Sequence, residues 1–207
     1  PAEFCGTTRD LIRLELMHPR DQRYGDCVDG DCAGTDGVPE MTDATLLAAL
    51  EAHKPALVAR YTSMTQSTFS KMVEMHGPAL RGISNCWTYA RMWSGWISGM
   101  TRREGDARVL DAALVAKAAT AYADATVEAW ADKIATKMGE VEGATIHHLD
   151  GAAFRITGTL AGKQVGIDQN MILNVSSKGM PFNQFPARIY VDGKFTSEAA
   201  WKRMRGA

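Results

Sequence analysis

The chain has 207 residues, of which 45% are apolar and 23% charged, as in an ordinary globular protein. This length can bury one sizeable core. No apolar run approaches the roughly 18 residues of a membrane span, so we expect no membrane partner. The first residues lack the basic and apolar regions of a secretory signal. From Gly143 onward the chain carries eight Lys and Arg against four Asp and Glu, whereas the remainder carries 15 against 20. Unless this split is chance, the basic C-terminal part favours an anionic partner.

The first forty residues predict a loop-rich segment that carries three of the four cysteines. Cys27 and Cys32 lie close enough to bind zinc. A complete site requires two further ligands, and those upstream are Cys5 and His18. This spacing is typical of no zinc finger, and the neighbouring aspartates oppose formation of the thiolate that a metal needs. We therefore expect an exposed loop without metal. Zinc remains the alternative cofactor, and a Cys27–Cys32 disulfide is the alternative under oxidising conditions.

Residues 41–142 predict a helical region of three to five helices. The first helix begins after a cap at Thr42 or Asp43. Pro55 either ends this helix or lies in the first turn of the next one. A further helix covers roughly residues 65–76 and ends at a Gly-Pro pair.

Two longer apolar patterns follow in the helical region. Apolar residues recur at steps of three and four from Cys86 to Met100, which predicts a helix with a bulky buried stripe. Cys86 is expected on that stripe as a buried free thiol, and Trp87 lies off it as an exposed indole. The longest helix is Ala-rich and runs from a cap at Asp106 to Gly139.

The apolar period changes from 3.6 to 2 after Gly143, which predicts β-strands joined by tight turns. The turn signals are Asp150-Gly151, Ala161-Gly162 and Asp192-Gly193. In the second strand Phe154, Ile156 and Leu160 face one way, and Arg155, Thr157 and Thr159 face the other. Ser197 caps a closing helix.

The predicted fold class is therefore α+β. It comprises a loop-rich N-terminal segment (1–40), a helical region (41–142) and an antiparallel β-meander of about four strands with a closing helix (143–207). We expect the sheet and the helices to pack as one compact unit.

The candidate catalytic residues are His147, His148 and Asp150. Adjacent strand residues point to opposite faces, so His147 and His148 cannot bind one metal without a bulge, whereas His148 and Asp150 could share a face. A metal-dependent hydrolase needs at least one more ligand, and none stands at a readable spacing. Because Asp150 also fits the turn, we favour a turn beside a surface histidine over a metal site.

Basic and aromatic residues alternate through the C-terminal part of the chain. A basic sheet with interleaved aromatic rings is typical of proteins that hold single-stranded nucleic acid. No recognised nucleic-acid-binding motif is present, and some of the aromatic residues could equally anchor a loop. The candidate nucleic-acid-binding residues are Arg155, Lys163, Lys178, Arg188, Tyr190, Lys194, Lys202, Arg203 and Arg205.

The stretch "FRITGTLAGKQVGIDQNMILNVSSKGMPFNQFPARIYVDGKFTSEAAWKRM" resembles the ends of uncharacterised small proteins encoded by tailed bacteriophages and prophages. The resemblance covers roughly the last quarter of the chain. It implies a phage origin and a host-cytoplasmic setting, and it implies no reaction.

Three hypotheses for function follow. The first is a non-catalytic phage accessory protein that binds a host protein or nucleic acid. The second is a metal-dependent hydrolase or nuclease centred on His147, His148 and Asp150. The third is a zinc-stapled nucleic-acid-binding protein. We favour the first, because the sequence contains no phosphate-binding loop, nucleophile elbow or zinc-protease motif.

Overall fold

The computed structural model describes residues 39–175 and 181–206. Its architecture is α+β, as predicted, with a long central helix and a C-terminal antiparallel sheet of five strands followed by a closing helix. Within these ranges no helix is both long and apolar enough to cross a membrane. The predictions made for several residues lie outside the described ranges, namely those for Cys5, His18, Cys27, Cys32 and Lys178.

The described chain divides into two compact units. The first, here called the helical unit, consists of residues 54–126 with 173–175 and 181–182. The second, here called the sheet unit, consists of residues 39–53, 127–172 and 183–206. Each unit buries its own set of apolar side chains.

The first helix of the sheet unit, α1 (Asp43–Glu51), begins after a threonine cap. The Thr42 hydroxyl accepts a hydrogen bond from the Thr45 N–H at 3.2 Å, and the Thr45 hydroxyl accepts one from the Thr42 N–H at 2.8 Å. This reciprocal pair satisfies two N–H groups that the first turn leaves without partners. Of the two predicted caps, Thr42 is therefore the one used.

The next helix, α2 (Lys54–His76), belongs to the helical unit and is continuous. The structure thus has one helix where the sequence predicted two. Pro55 lies in its first turn, where the N–H that proline lacks has no partner in any case. Thr65 does not interrupt the helix, because its hydroxyl donates to the Tyr61 carbonyl at 2.9 Å.

A series of short helical turns follows α2. A 3₁₀ turn (Ile83–Asn85) leads to α3 (Trp87–Met92), a π-helical turn (Trp93–Ile97) and a second 3₁₀ turn (Ser98–Met100). The departure from a regular helix fits the low helical propensity of the glycines in this stretch. The predicted stripe still enters the core, and Trp87, predicted to lie off it, is 62% exposed.

Cys86 lies at the start of α3 and is buried, as predicted. The prediction of a free thiol is wrong, because Cys86 is disulfide-bonded, with a partner outside the described residues. An apolar stripe indicates where a cysteine is buried. It carries no information about a distant cysteine that can pair with it.

A β-hairpin precedes the longest helix and corrects the predicted helix start. β1 (Thr101–Glu104) and β2 (Ala107–Leu110) are joined by a turn at Gly105, whose φ of +59° suits glycine. The helix, α4 (Ala112–Met138), is capped by Asp111, whose Oδ1 accepts from the Ala113 N–H at 2.9 Å. The predicted cap, Asp106, lies in the hairpin turn instead.

Stacked aromatic rings form part of the core of the helical unit. The rings of Tyr61 and Tyr122 stack with centroids 4.8 Å apart, and Trp96 donates its indole N–H to the Tyr61 hydroxyl at 2.6 Å. Burial raises the pKa of Tyr61 and of Tyr122, so both stay neutral at ordinary pH. Tyr89, Trp93 and Trp96 of the stripe predicted between Cys86 and Met100 pack against this core, as predicted.

The strands of the C-terminal region form two sheets. Their bounds are β3 (Glu142–Asp150), β4 (Ala153–Leu160), β5 (Lys163–Asn170), β6 (Ile172–Val175), β7 (Pro181–Gln184), β8 (Ala187–Val191) and β9 (Lys194–Thr196). The main sheet is antiparallel in the order β3-β4-β5-β8-β9, whereas β6 and β7 pair with each other. Both residues of the Ala161-Gly162 and Asp192-Gly193 turns have positive φ, which is the type I′ geometry of tight hairpins.

One face of the main sheet is apolar and buried. An isoleucine occupies the same row in four strands, and all four are at most 5% exposed: Ile146, Ile156, Ile167 and Ile189. Val141, which follows α4, packs against this face at Gly158, where the absence of a side chain makes room for it. The closing helix, α5 (Glu198–Arg205), begins after Ser197, as predicted, and buries Trp201.

Candidate binding surface on the β-sheet

The other face of the sheet, here called the polar face, carries charged, hydroxyl and aromatic side chains in two neighbouring rows. The strand register defines one row as His147, Arg155, Asp168 and Arg188, and the other as Thr145, Thr157, Gly166, Tyr190 and Phe195. Strand alternation produces both rows, because the residues between them turn to the apolar face. The predicted split within β4, with Arg155 opposite to Ile156, is confirmed.

An ion pair lies at the centre of the polar face. Arg155 donates from Nε to Asp168 Oδ1 at 2.6 Å and from Nη2 to Asp168 Oδ2 at 2.9 Å. The two side chains are only 13% and 5% exposed. Arg155 is one of the predicted nucleic-acid-binding residues, but its charge is balanced within the protein by this carboxylate.

On the β3 side of the polar face, the polar side chains already bond to one another. Glu40 forms an isolated antiparallel bridge with His147, which covers the outer edge of β3. His147 Nε2 lies 3.3 Å from the Thr145 hydroxyl, and that hydroxyl lies 2.7 Å from the Thr157 hydroxyl. Since His147 is also buried, this side of the face offers hydroxyl groups bonded to one another rather than open donors.

The β8–β9 side of the polar face is exposed. Phe195 is 68% exposed, and its ring meets the ring of Tyr190 edge-on with centroids 6.3 Å apart. Arg188 precedes Tyr190 by two residues on the same face, is exposed, and forms no ion pair with a described residue. We call Arg188, Tyr190 and Phe195 the β8–β9 patch. It combines two aromatic rings with a guanidinium group that has free donors.

Two lysines add positive charge beside the β8–β9 patch. The Asp192 N–H donates to the Gln164 carbonyl at 2.9 Å, and Asp192 Oδ1 accepts from the Gln164 N–H at 3.1 Å. These bonds join the β4–β5 turn to the β8–β9 turn, and exposed Lys163 and Lys194 begin the strands that leave these turns. By strand alternation, Lys163 and Lys194 lie on the same face as the apolar residues. They therefore place positive charge at the end of the sheet rather than on the polar face.

Two of the three basic residues of α5 form ion pairs within the protein. Arg205 Nη1 donates to Glu140 Oε1 at 2.9 Å, and Lys202 forms an ion pair within its own helix at 2.9 Å. Trp201 of the same helix donates its indole N–H to Glu140 Oε2 at 3.0 Å. Of the three predicted α5 cations, Arg203 alone forms no ion pair with a described residue.

The two adjacent histidines of β3 do not face one site. His147 pairs with Arg155 on the polar face and His148 with Phe154 on the apolar face, which confirms the predicted alternation. A bulge lies between His148 and Asp150, and the Asp150 side chain lies outside what the structure describes. Among the described residues, no three His, Cys, Asp or Glu side chains are grouped as metal ligands.

His148 instead fastens the β3–β4 turn. Its ring stacks on the Phe154 ring with centroids 5.1 Å apart. The Nε2 atoms of His148 and His53 lie 2.7 and 2.8 Å from the same Gly151 carbonyl oxygen. His53 also meets the Trp130 ring edge-on at 5.9 Å. These contacts account for His148 by packing and hydrogen bonding alone.

Sequence reasoning missed two residues of the polar face, Asp168 and Phe195. A charged residue inside the apolar strand β5 requires a cationic partner, and the two-residue Ala161-Gly162 turn fixes the β4–β5 register that aligns Asp168 with Arg155. The Asp192-Gly193 turn aligns Phe195 with Tyr190 in the same way. Both pairings could therefore have been found by counting outward from the turns.

Comparison of the chain with models of protein families, with curated proteins and with solved structures finds no match. The polar face is therefore the feature of the molecule that indicates a function. The β8–β9 patch offers two aromatic rings and a positive charge. The rest of the polar face offers groups that already bond to one another.

Proposed function

We propose that the protein is a non-catalytic binding protein that holds single-stranded nucleic acid on the β8–β9 patch. The observation that carries this proposal is the pairing of exposed Phe195 with Tyr190 beside Arg188. Proteins that bind single strands stack bases on aromatic rings and contact phosphates with cations. Phe195 supplies the stacking surface, and Arg188 supplies a phosphate contact.

A nucleic acid fits this surface better than a host protein that adds a strand to the sheet. β9 is the edge strand, but it has only three residues and begins with a lysine. Short edge strands that carry lysine oppose pairing with another chain. Stacking on Phe195 needs no backbone pairing, so these features of β9 do not hinder it.

The resemblance of the last quarter of the chain to tailed-phage proteins supports a phage origin, whereas the host-cytoplasmic setting that it also implies conflicts with the disulfide of Cys86. Binding without catalysis agrees with the role found for His148 at the β3–β4 turn. The predicted zinc staple of Cys5, His18, Cys27 and Cys32 lies outside the described residues, and the Cys86 disulfide leaves it at most two of its three cysteines, because the chain has four cysteines in all. The whole chain has a net charge of −1, so we expect attraction of the nucleic acid only near the β8–β9 patch. Because phosphate contacts release bound cations, we expect the affinity to fall as the salt concentration rises.

The first prediction concerns the affinity for a labelled oligothymidylate of about 20 nucleotides, longer than one binding site. Phe195→Ala is expected to weaken binding about tenfold, because stacking of one base contributes roughly 1–3 kcal/mol. Arg188→Ala is expected to lower the salt dependence of log K by about 0.7, the value for one phosphate contact on a single strand. Fluorescence anisotropy at several salt concentrations measures both effects.

Matched controls come from the same unit. Leu47 is 53% exposed on α1 and is the apolar control for Phe195, and Arg203 on α5 is the cationic control for Arg188. Leu47→Ala and Arg203→Ala should leave the affinity and its salt dependence unchanged. If Arg203→Ala weakens binding while Arg188→Ala does not, the site includes α5 rather than the β8–β9 patch. A wild-type protein that binds no oligonucleotide at low salt refutes the function.

The second prediction concerns Cys86 and the cellular setting. The disulfide of Cys86 weighs against a reducing cytoplasm, where such bonds are rare. We expect Cys86 to resist alkylation in denatured protein that was acid-quenched directly after lysis, and to react fully once a reductant is added. Mass spectrometry of the peptide that contains Cys86 distinguishes the two states. Immediate alkylation without reductant would instead agree with the host cytoplasm.

A further inference from the structure

The β1–β2 hairpin of the helical unit holds two like charges directly opposite each other. Arg103 and Arg108 are register partners, so their side chains leave the same face of the hairpin. Like charges in this arrangement repel each other and destabilise a two-stranded hairpin. Neither guanidinium forms an ion pair with a described residue. On this face the hairpin therefore presents two positive charges that no described carboxylate balances.

The remaining arginine of the hairpin has a different environment. Arg102 lies on the opposite face, where it forms an ion pair with Glu104, and its Nε lies 3.5 Å from Asp111 Oδ2. The described carboxylates that contact the hairpin thus lie on the Arg102 face. Arg102 and Arg103 are neighbours in the sequence, but these carboxylates balance the charge of Arg102 and not that of Arg103.

Arg108 is held in place by its surroundings. Its guanidinium lies over the Trp93 ring, 5.7 Å from the centroid, and Trp93 packs against the core of the helical unit. The backbone N–H of Arg108 also donates to the Pro78 carbonyl at 2.8 Å, and this bond anchors β2. Stacking on an aromatic ring fixes the plane of a guanidinium and leaves its N–H donors free at the edge.

We propose that Arg103 and Arg108 form a second phosphate-binding site, which takes a phosphodiester group of single-stranded nucleic acid. This inference rests on the function proposed above. A phosphate between the two guanidinium groups would accept hydrogen bonds from both and remove their mutual repulsion. Arg108 supplies the ordered half of the site, and the exposed Arg103 supplies the half that closes on the phosphate.

The test compares Arg103→Ala with Arg102→Ala in the full chain, with the oligothymidylate as the probe. Loss of one phosphate contact lowers the salt dependence of log K by about 0.7, which corresponds to about fivefold weaker binding at 0.1 M salt. We expect this change for Arg103→Ala and no change for Arg102→Ala. Both variants lose one arginine from one hairpin, so a general effect of net charge would alter them equally and overturn the inference.

A third variant, Arg103→Glu, separates binding from folding. It replaces a like-charge pair with an opposite-charge pair, so the melting temperature should rise or stay constant while the affinity falls. A purely structural role would lower the melting temperature and the affinity together, and would overturn the inference. If Phe195→Ala weakens binding and Arg103→Ala does not, the hairpin site is refuted and the proposed function stands. If the wild-type protein binds no oligothymidylate, both are refuted.

Discussion

Replacing Glu140 with alanine is expected to lower the free energy of unfolding by about 3 kcal/mol. Its side chain is 7% exposed and accepts hydrogen bonds from Lys137 Nζ at 2.9 Å, Trp201 Nε1 at 3.0 Å and Arg205 Nη1 at 2.9 Å. Without the carboxylate, the buried Trp201 N–H and the largely buried Lys137 ammonium both lose their acceptor. Leaving one buried donor without an acceptor costs about 1–3 kcal/mol, and more for a charged group.

Urea unfolding followed by tryptophan fluorescence measures this loss. Glu198→Ala is the matched control, because Glu198 forms an ion pair with Lys202 at the same 2.9 Å, but their side chains are 76% and 69% exposed. An exposed pair of this kind contributes little to stability, because both side chains remain hydrated and salt screens their attraction. Glu140→Gln should fall between the two, since it keeps an acceptor for Trp201 and loses the charge. Equal losses for Glu140→Ala and Glu198→Ala would show that burial does not strengthen the Glu140 contacts.

The sequence predicted the sheet better than the helices, for a physical reason. Strand alternation and two-residue turns are local signals, and they located β4, β5 and β8 together with the Ala161-Gly162 and Asp192-Gly193 turns. The hairpin at residues 101–110 was missed, because the Ala-rich pattern that follows it extends a helix prediction backward to any plausible cap. Asp106 has the side chain of a cap, but Asp111 occupies the position from which a carboxylate reaches the first free N–H groups.

The candidate site could be predicted only in part. Composition identified Arg188 and Tyr190, but it also collected Arg155 and Arg205, whose charges are balanced by Asp168 and Glu140. Whether a basic residue is free depends on which acidic residue lies beside it, and that depends on strand register and helix packing. Composition alone therefore overestimates the positive charge that a partner would meet.

Replacing Asp168 with alanine is expected to lower the free energy of unfolding by about 3–5 kcal/mol, the larger of the two effects. The Asp168 side chain is 5% exposed and takes two hydrogen bonds from Arg155, at 2.6 and 2.9 Å. Its removal leaves a largely buried guanidinium without the carboxylate that offsets its loss of hydration. Urea unfolding followed by circular dichroism measures the change. Asp192→Asn, on an exposed turn of the same sheet, should cost less, because asparagine tolerates the positive φ of this turn and keeps an acceptor for the Gln164 N–H.

A double variant tests whether this loss comes from the ion pair itself. Asp168→Leu combined with Arg155→Met replaces both partners with apolar side chains, and such replacements of buried ion pairs are often neutral or stabilising. We therefore expect the double variant to be more stable than Asp168→Ala, by about 2 kcal/mol or more. Independent contributions of the two residues would instead make the double variant the least stable. That outcome would mean that Asp168 stabilises the protein through contacts other than those with Arg155.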